Sequence, residues 1–225
     1  MIKVKYIDLG ICEYKKAWGI QEEYFNDSVK KRGIGDESIG NYLLFVEHPH
    51  VYTLGKSGDE HNLLINSIQL RAQHASFVST NRGGDITYHG PGQLVAYPIF
   101  DILKMNLGVK EYIEKLEQAV IETIAEYGIK GERLDGATGV WLDVGNPKKE
   151  RKICAIGVKC SRHITMHGFA LNINTDLNYF NYINPCGFVD KGVTSIAKEL
   201  GKEVNYEEVK KKCLDKMLEI FNIEI

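Results

Sequence analysis

Asn184-Pro185-Cys186-Gly187-Phe188 sets a thiol between a proline and a glycine, a composition that makes a tight, locally rigid turn. A cysteine whose only task is packing belongs in a strand or a helix. A thiol on a turn can be presented to a substrate, with backbone N–H groups at hand to stabilise an oxyanion. The chemistry this suits is nucleophilic catalysis by the thiol. A free thiol titrates near about 8.5, so a neighbouring cation must raise its thiolate fraction at neutral pH. Lys152, His89 and His167 are the candidate cations, and the residues alone leave the choice open. Lys152 opens the apolar run Lys152-Ile153-Cys154-Ala155-Ile156-Gly157, where a lysine is ordinarily solvated at the strand end. His167 precedes Gly168-Phe169-Ala170-Leu171, where a lone histidine is ordinarily a satisfied core group.

A second segment with chemical content is Arg82-Gly83-Gly84-Asp85-Ile86-Thr87-Tyr88-His89-Gly90-Pro91-Gly92-Gln93. Its glycines let backbone approach a ligand closely, and Arg82 is of a type that binds a phosphate or an acidic partner. No Gly-Lys-Ser/Thr follows at the spacing of a nucleotide-binding loop. The plain alternative is a glycine-rich hairpin. His48-Pro49-His50 is a close pair, but no acidic or cysteine partner stands at a recognisable metal-ligand spacing, so no metal site is expected.

Elements must hold these groups together. The chain has 225 residues, 44% hydrophobic and 26% charged, with a net charge of −2. That balance is an ordinary globular one and gives no overall field for nucleic acid. The first residues lack the apolar stretch of a signal peptide, and no run approaches the length of a membrane span, so a cytoplasmic protein is expected. Five cysteines at wide spacing do not form a disulfide framework, and no Cys-x-x-Cys occurs. Alternating or apolar runs predict strands at Ile2–Tyr6, Tyr42–Glu47, Ser76–Thr80, Gln93–Ile99, Thr138–Leu142, Lys152–Val158 and Gly168–Ile173. Asn146-Pro147-Lys148-Lys149 predicts a hairpin-like turn. Helical spacing appears over Tyr14–Phe25 and Glu111–Tyr127, the latter ended by Gly128. A short helix is expected over Thr194–Leu200, and a last one starts at Asn205 with Glu208 as its capping partner. Residues 30–40 and 55–61 read as loops. Strands outnumber helices without strictly alternating with them, which favours an α/β domain of the α+β, mixed-sheet kind, one domain over residues 1–225.

Together these segments resemble the octanoyl-ACP:protein N-octanoyltransferases, of the biotin/lipoate protein ligase superfamily. The likeness covers nearly the whole chain. It includes Tyr14, Trp18 and Gln21, the run Glu47 to Gly55, Gly139-Val140-Trp141, and the stretch from Lys152 to Gly187. Thr87-Tyr88-His89-Gly90-Pro91-Gly92-Gln93-Leu94 is its most specific part. The resemblance implies the single catalytic domain shared with biotin and lipoate ligases. It implies that Cys186 is the acyl-thioester nucleophile and that Lys152 lowers its pKa. It implies that Arg82, Gly83, Gly84, Asp85, Ile86, Thr87, Tyr88 and His89, with Ala155, Ile156 and Gly157 and with Gly168, Phe169 and Ala170, line the acyl-substrate site. The partners it implies are octanoyl-acyl carrier protein and the lipoyl domains of 2-oxoacid dehydrogenase complexes and the glycine cleavage H protein, with no cofactor, nucleic acid or membrane. An acidic carrier further suggests a basic patch drawn from Arg82, Lys148, Lys149, Arg151 and Arg162. Rival readings are an ATP-dependent ligase on the same fold, a cysteine hydrolase, and a non-catalytic binder of carrier domains.

Overall fold

The computed structural model describes residues 1–184 and 192–225. In chain order the strands are β1 (Ile2–Lys3), β2 (Lys5–Ile11), β3 (Tyr42–Glu47), β4 (Val51–Leu54), β5 (Ser76–Ser79), β6 (Ile86–His89), β7 (Gln93–Ile99), β8 (Glu132–Leu134), β9 (Ala137–Leu142), β10 (Arg151–Ser161), β11 (Ile164–Asn172), β12 (Gly192–Val193) and β13 (Ile223–Glu224). The α-helices are α1 (Tyr14–Gly33), α2 (Ser67–Ala72), α3 (Val109–Ala125), α4 (Ile196–Leu200) and α5 (Tyr206–Phe221).

The main sheet runs in the order β2-β3-β7-β11-β10-β9-β8. Only β2 and β3 pair in parallel along that path, with α1 as their connection. The start of β10 also pairs in parallel with β12, Lys152 opposite Val193. The sheet is therefore mixed, as the strand-rich sequence predicts. Every residue of β7 and of β11 is buried, because both faces of the sheet are covered at its centre.

One face carries α3 and α5. Leu116, Val120 and Ile124 of α3 join Val209, Cys213 and Met217 of α5 over Leu94, Ala96, Phe169 and Leu171. The buried stripe of α5 is Val209, Cys213, Met217 and Phe221. Asn205 caps it by accepting from Glu208 N at 3.1 Å. The other face carries α1, whose Ala17 and Phe25 pack on Leu44, Val46, Val95, Tyr97 and Ala170. This helix runs on to Gly33, into the stretch expected as a loop. Lys30, Lys31 and Arg32 fill its last turn, where cations suit the negative helix end; Arg32 turns inward and pairs with the buried Asp101.

Beyond the N-terminal end of α1 lies a second, three-stranded sheet in the order β5-β4-β6. Tyr14 of α1 packs on it through Val51 and Val78. Strand β4 is buried throughout and lacks an apolar–polar alternation, and β6 is only four residues long; the sequence pattern does not reveal them. The α2 helix was also not expected, although Asn66 and Gln69 form a complete capping box at its start.

Candidate active site

Between the small sheet and the main sheet opens a cleft, continuous with solvent. Its floor is set by register. Ala155 pairs with Ala170 and Gly157 with Gly168 across β10 and β11, so four small residues lie side by side facing α1. Its roof is the turn 82–85. Gly83 N donates to Val158 O at 3.0 Å, which docks the turn onto β10. A Cβ on Gly157 would stand 2.8 Å from Gly83 O, so the roof can lie this close only over glycine.

Arg82, Gly83, Gly84, Asp85, Ile86, Thr87 and His89 all line the cleft, as do Lys152, Ala155, Ile156, Gly157, Gly168, Phe169 and Ala170. Tyr88 does not. Alternation along β6 turns it into the small sheet's core, where it is fully buried and its hydroxyl meets His50 Nδ1 at 2.7 Å. Cys186 lies outside the described residues. The chain on either side of it is placed: Asn184 N donates to Asn62 O at 2.9 Å, and Thr194 N donates to Lys152 O at 2.9 Å. Gly192 and Val193 line the same cleft as Lys152.

Lys152 is half-buried at one end of the cleft. Its Nζ stands 4.5 Å from the ring centre of Trp141, a cation–π arrangement. Trp141 is itself fixed, buried with Nε1 donating to Ala137 O at 2.8 Å. Ile153 is the extra residue of a bulge on β10, between the pairings of Lys152 with Trp141 and of Cys154 with Val140, and on the facing strand β9 Gly139 has φ +126°. The two candidate imidazoles are in a different state. His89 bonds Gln93 Oε1 at 2.8 Å through Nδ1, and His167 bonds Asn81 Oδ1 at 2.7 Å through Nε2. Burial pushes His89 well below the usual histidine range and His167 down to about 3. Both rings are neutral at physiological pH and cannot supply a cation.

Arg82 is not directed at a ligand phosphate. Its Nη2 donates to Thr53 O at 2.6 Å and to Thr53 Oγ1 at 3.0 Å, and Nη1 donates to Gly83 O at 3.1 Å. The guanidinium braces the roof against β4. Asp85 ties the same roof sideways, accepting from Asn62 Nδ2 at 2.7 Å. Of the residues expected in a basic patch, Arg82 is inside and Arg151 is paired with Glu199 and Asp143; Lys148 and Lys149 are exposed beside Arg151, and Arg162 lies past the other end of β10, about 36 Å from Arg151 at ~3.3 Å per residue over eleven residues.

Four cysteines are described, and none faces the cleft. Cys154 points to the α3 and α5 side and Cys213 lies in the same core. Burial raises Cys154 well above the usual thiol range and Cys213 to about 12. His48 and His50 diverge rather than chelate. His48 bonds Cys12 O at 2.6 Å and Tyr97 Oη at 2.8 Å, while His50 stacks on Tyr179 with 4.2 Å between ring centres.

Residues 13–218 match the family model described as the lipoyl protein ligase A/B catalytic domain. An octanoyltransferase of Christiangramia forsetii is 55% identical over 99% of this chain and 97% of its own length. One of Flavobacterium johnsoniae is 54% identical over 99% and 98%. Among solved structures, an archaeal bipartite lipoate protein ligase from Thermoplasma acidophilum superposes with a TM-score of 0.72 at 13% identity, over 100% of this chain and 86% of that one. A lipoate-protein ligase A bound with ATP gives 0.68 at 13%, over 100% and 87%. At such identities these two establish the fold alone. No helix among the described residues is long and apolar enough to cross a membrane.

Proposed function

The chain belongs to the lipoyl protein ligase A/B catalytic domain family and is an octanoyl-transferring acyltransferase, and from that premise we propose that it takes its octanoyl group from octanoyl-acyl carrier protein, holds it as a thioester on Cys186 and passes it to a specific lysine of lipoyl domains. The acceptors are the lipoyl domains of 2-oxoacid dehydrogenase complexes and the glycine cleavage H protein. The reaction is the first step of endogenous protein lipoylation, in the cytoplasm, and draws on no cofactor.

The observation that carries this reading is the position of Lys152. It stands over Trp141 at one end of a cleft floored by Ala155, Ala170, Gly157 and Gly168, and it pairs with β12, which the chain enters a few residues after Cys186. An ammonium here stabilises the Cys186 thiolate. The thiolate attacks the carbonyl carbon of the carrier thioester; a new C–S bond forms, the carrier's C–S bond breaks, and the departing carrier thiolate takes a proton from Lys152. With the thiolate consumed, the Lys152 amine has lost the charge that favoured its protonation. It therefore accepts the proton of the incoming lysine amine as that nitrogen attacks and Cys186 leaves as thiolate. A thioester exchange followed by conversion to an amide runs downhill without ATP.

Intact mass spectrometry after mixing with octanoyl-acyl carrier protein tests the nucleophile. An octanoyl adduct is expected on the wild-type chain and none on Cys186→Ser. Adding a lipoyl domain should discharge the adduct onto the domain. Persistence of the same thioester adduct in Cys186→Ser, or octanoylation only when ATP and free octanoate are supplied, would overturn the proposal.

A further inference from the structure

Strand β10 changes neighbour at the point where it carries Lys152. From Cys154 to Ser161 it pairs with β11. At Arg151 and Lys152 it pairs instead with β12, which has only two residues. The register of β11 with β10 ends at Leu171, and Asn172, the last residue of β11, pairs with Gln93 of β7. A strand as short as β12 needs support to stay on a sheet. Gly192 N donates to Glu150 O at 3.1 Å and Thr194 N to Lys152 O at 2.9 Å. The end of β11 adds a third bond, from a side chain: Asn172 Nδ2 donates to Thr194 O at 3.0 Å.

Asn172 is one link of a longer row. Gln93 Nε2 donates to Asn172 Oδ1 at 2.9 Å and to Tyr88 O at 3.2 Å. His89 Nδ1 lies 2.8 Å from Gln93 Oε1. Two main-chain carbonyls fix the direction of every bond in this row. Thr194 O and Tyr88 O can only accept, so each amide must turn its NH2 toward them. Asn172 Oδ1 and Gln93 Oε1 are then the acceptors, and His89 must carry its hydrogen on Nδ1. His89, Gln93, Asn172 and Thr194 are each at most 5% exposed, and the first three line the cleft. A buried row with a single allowed polarity specifies one arrangement of the strands it joins.

We propose that Gln93 and Asn172 are positioning residues for acyl transfer: they hold residues 192–194 against the start of β10 and so fix Lys152 at its end of the cleft. The proposal rests on the reading above that Lys152 stabilises the Cys186 thiolate. With an apolar side chain in place of Asn172, Thr194 O is left buried and unpaired, a penalty relieved when residues 192–194 shift. Thr194 N is bonded to Lys152 O, so the start of β10 shifts with them and carries the ammonium away from its place.

The test reads the Cys186 thiol in the full chain, through the pH dependence of its alkylation by iodoacetamide. Mass spectrometry counts only molecules alkylated at Cys186 with Cys154 and Cys213 unmodified. Those two thiols are 0% exposed and react on unfolding, so misfolded protein drops out of the count. The wild-type midpoint should lie below the ordinary thiol value of about 8.5. Asn172→Leu and Gln93→Met roughly keep bulk and leave the charge unchanged, and each should raise the midpoint by about half a pH unit or more. Because Gln93 acts through Asn172, the double variant should move no further than Asn172→Leu alone. Unmoved midpoints in the folded variants overturn the proposal, and so do shifts that add. If neither variant folds, the imidazole nitrogen-15 spectrum of the wild type decides: the row requires His89 in its Nδ1–H form, and the Nε2–H form overturns it. A midpoint that Lys152→Met leaves in place overturns the reading of Lys152 instead.

Discussion

Lys152 is held by contacts that limit what may replace it. Trp141 lies under its charge, and a Cβ on Gly139 would stand 3.5 Å from its Cε and 2.5 Å from Cys154 O. Lys152→Arg preserves a cation able to lie on the indole, but a guanidinium does not titrate in a useful range and cannot accept a proton. The variant should still take up the octanoyl group, because thiolate stabilisation survives and the departing carrier thiolate can take its proton from water. It should fail to release that group, lowering turnover by about 10²–10⁴-fold, the usual weight of a positioned base. Mass spectrometry would then find the acyl-enzyme persisting in the presence of lipoyl domain. Normal turnover in this variant would remove the base role. The sequence offers Lys152, His89 and His167 as equals because residue type is all it displays. Burial separates them, and burial arises from contacts such as that between Gln21 and His167, far apart in the chain.

The floor strands β10 and β11 owe their function to what their side chains lack. A Cβ on Gly168 would come within 2.1 Å of Ala96 O, backbone of the neighbouring β7 that cannot yield. One on Gly157 would meet Gly83 O at 2.8 Å, on a turn that can lift. The two substitutions should therefore separate. Gly168→Ala overpacks the sheet and should cost about 1–3 kcal/mol, lowering Tm by roughly 3–10 °C in a chain of this size. Gly157→Ala should lower Tm by less than Gly168→Ala, because the turn it lifts is held by fewer bonds than a sheet strand, and should lower kcat/KM by raising the roof; thermal melts and steady-state rates on both variants decide it. Unaltered kcat/KM in Gly157→Ala would show that the roof does not seat the acyl chain. At this scale the sequence is legible where periodicity is local: β3 and β7 occupy the residues their apolar runs predict. It is opaque for β4 and β6, four-residue strands too short to show a period, and for the end of α1, where the charged, glycine-rich residues resemble a loop. The glycine-rich segment is legible as something that approaches a ligand. That its Arg82 braces β4 depends on Thr53, which no spacing rule connects to it.

The molecule as a whole folds around neutral histidines. His48, His89 and His167 are each at most 5% exposed. Burial holds His48 near about 4 and His167 near about 3, with His89 well below its usual range. In the unfolded chain all three regain a pKa of about 6.5. Between those limits the unfolded state binds protons that the folded state refuses, so stability is fully present above about pH 6.5 and is lost as pH falls toward the folded values. The half-buried His50 is lowered by burial and adds to the same trend, while the exposed His61, raised by Asp59, opposes it. Depressed carboxylates such as Glu199, held down by Arg151, enter only below about pH 4.5. The window from pH 6 to 4.5 therefore isolates the histidines. Denaturant titrations across it should give a free energy of unfolding that falls with a slope approaching three protons per molecule, about 4 kcal/mol per pH unit. His48→Gln should reduce that slope by close to one proton even though it weakens the protein at pH 7. A slope below one proton for the wild type would mean that these rings admit protons in the folded state, and the neutral character assigned to the cleft would fall with it.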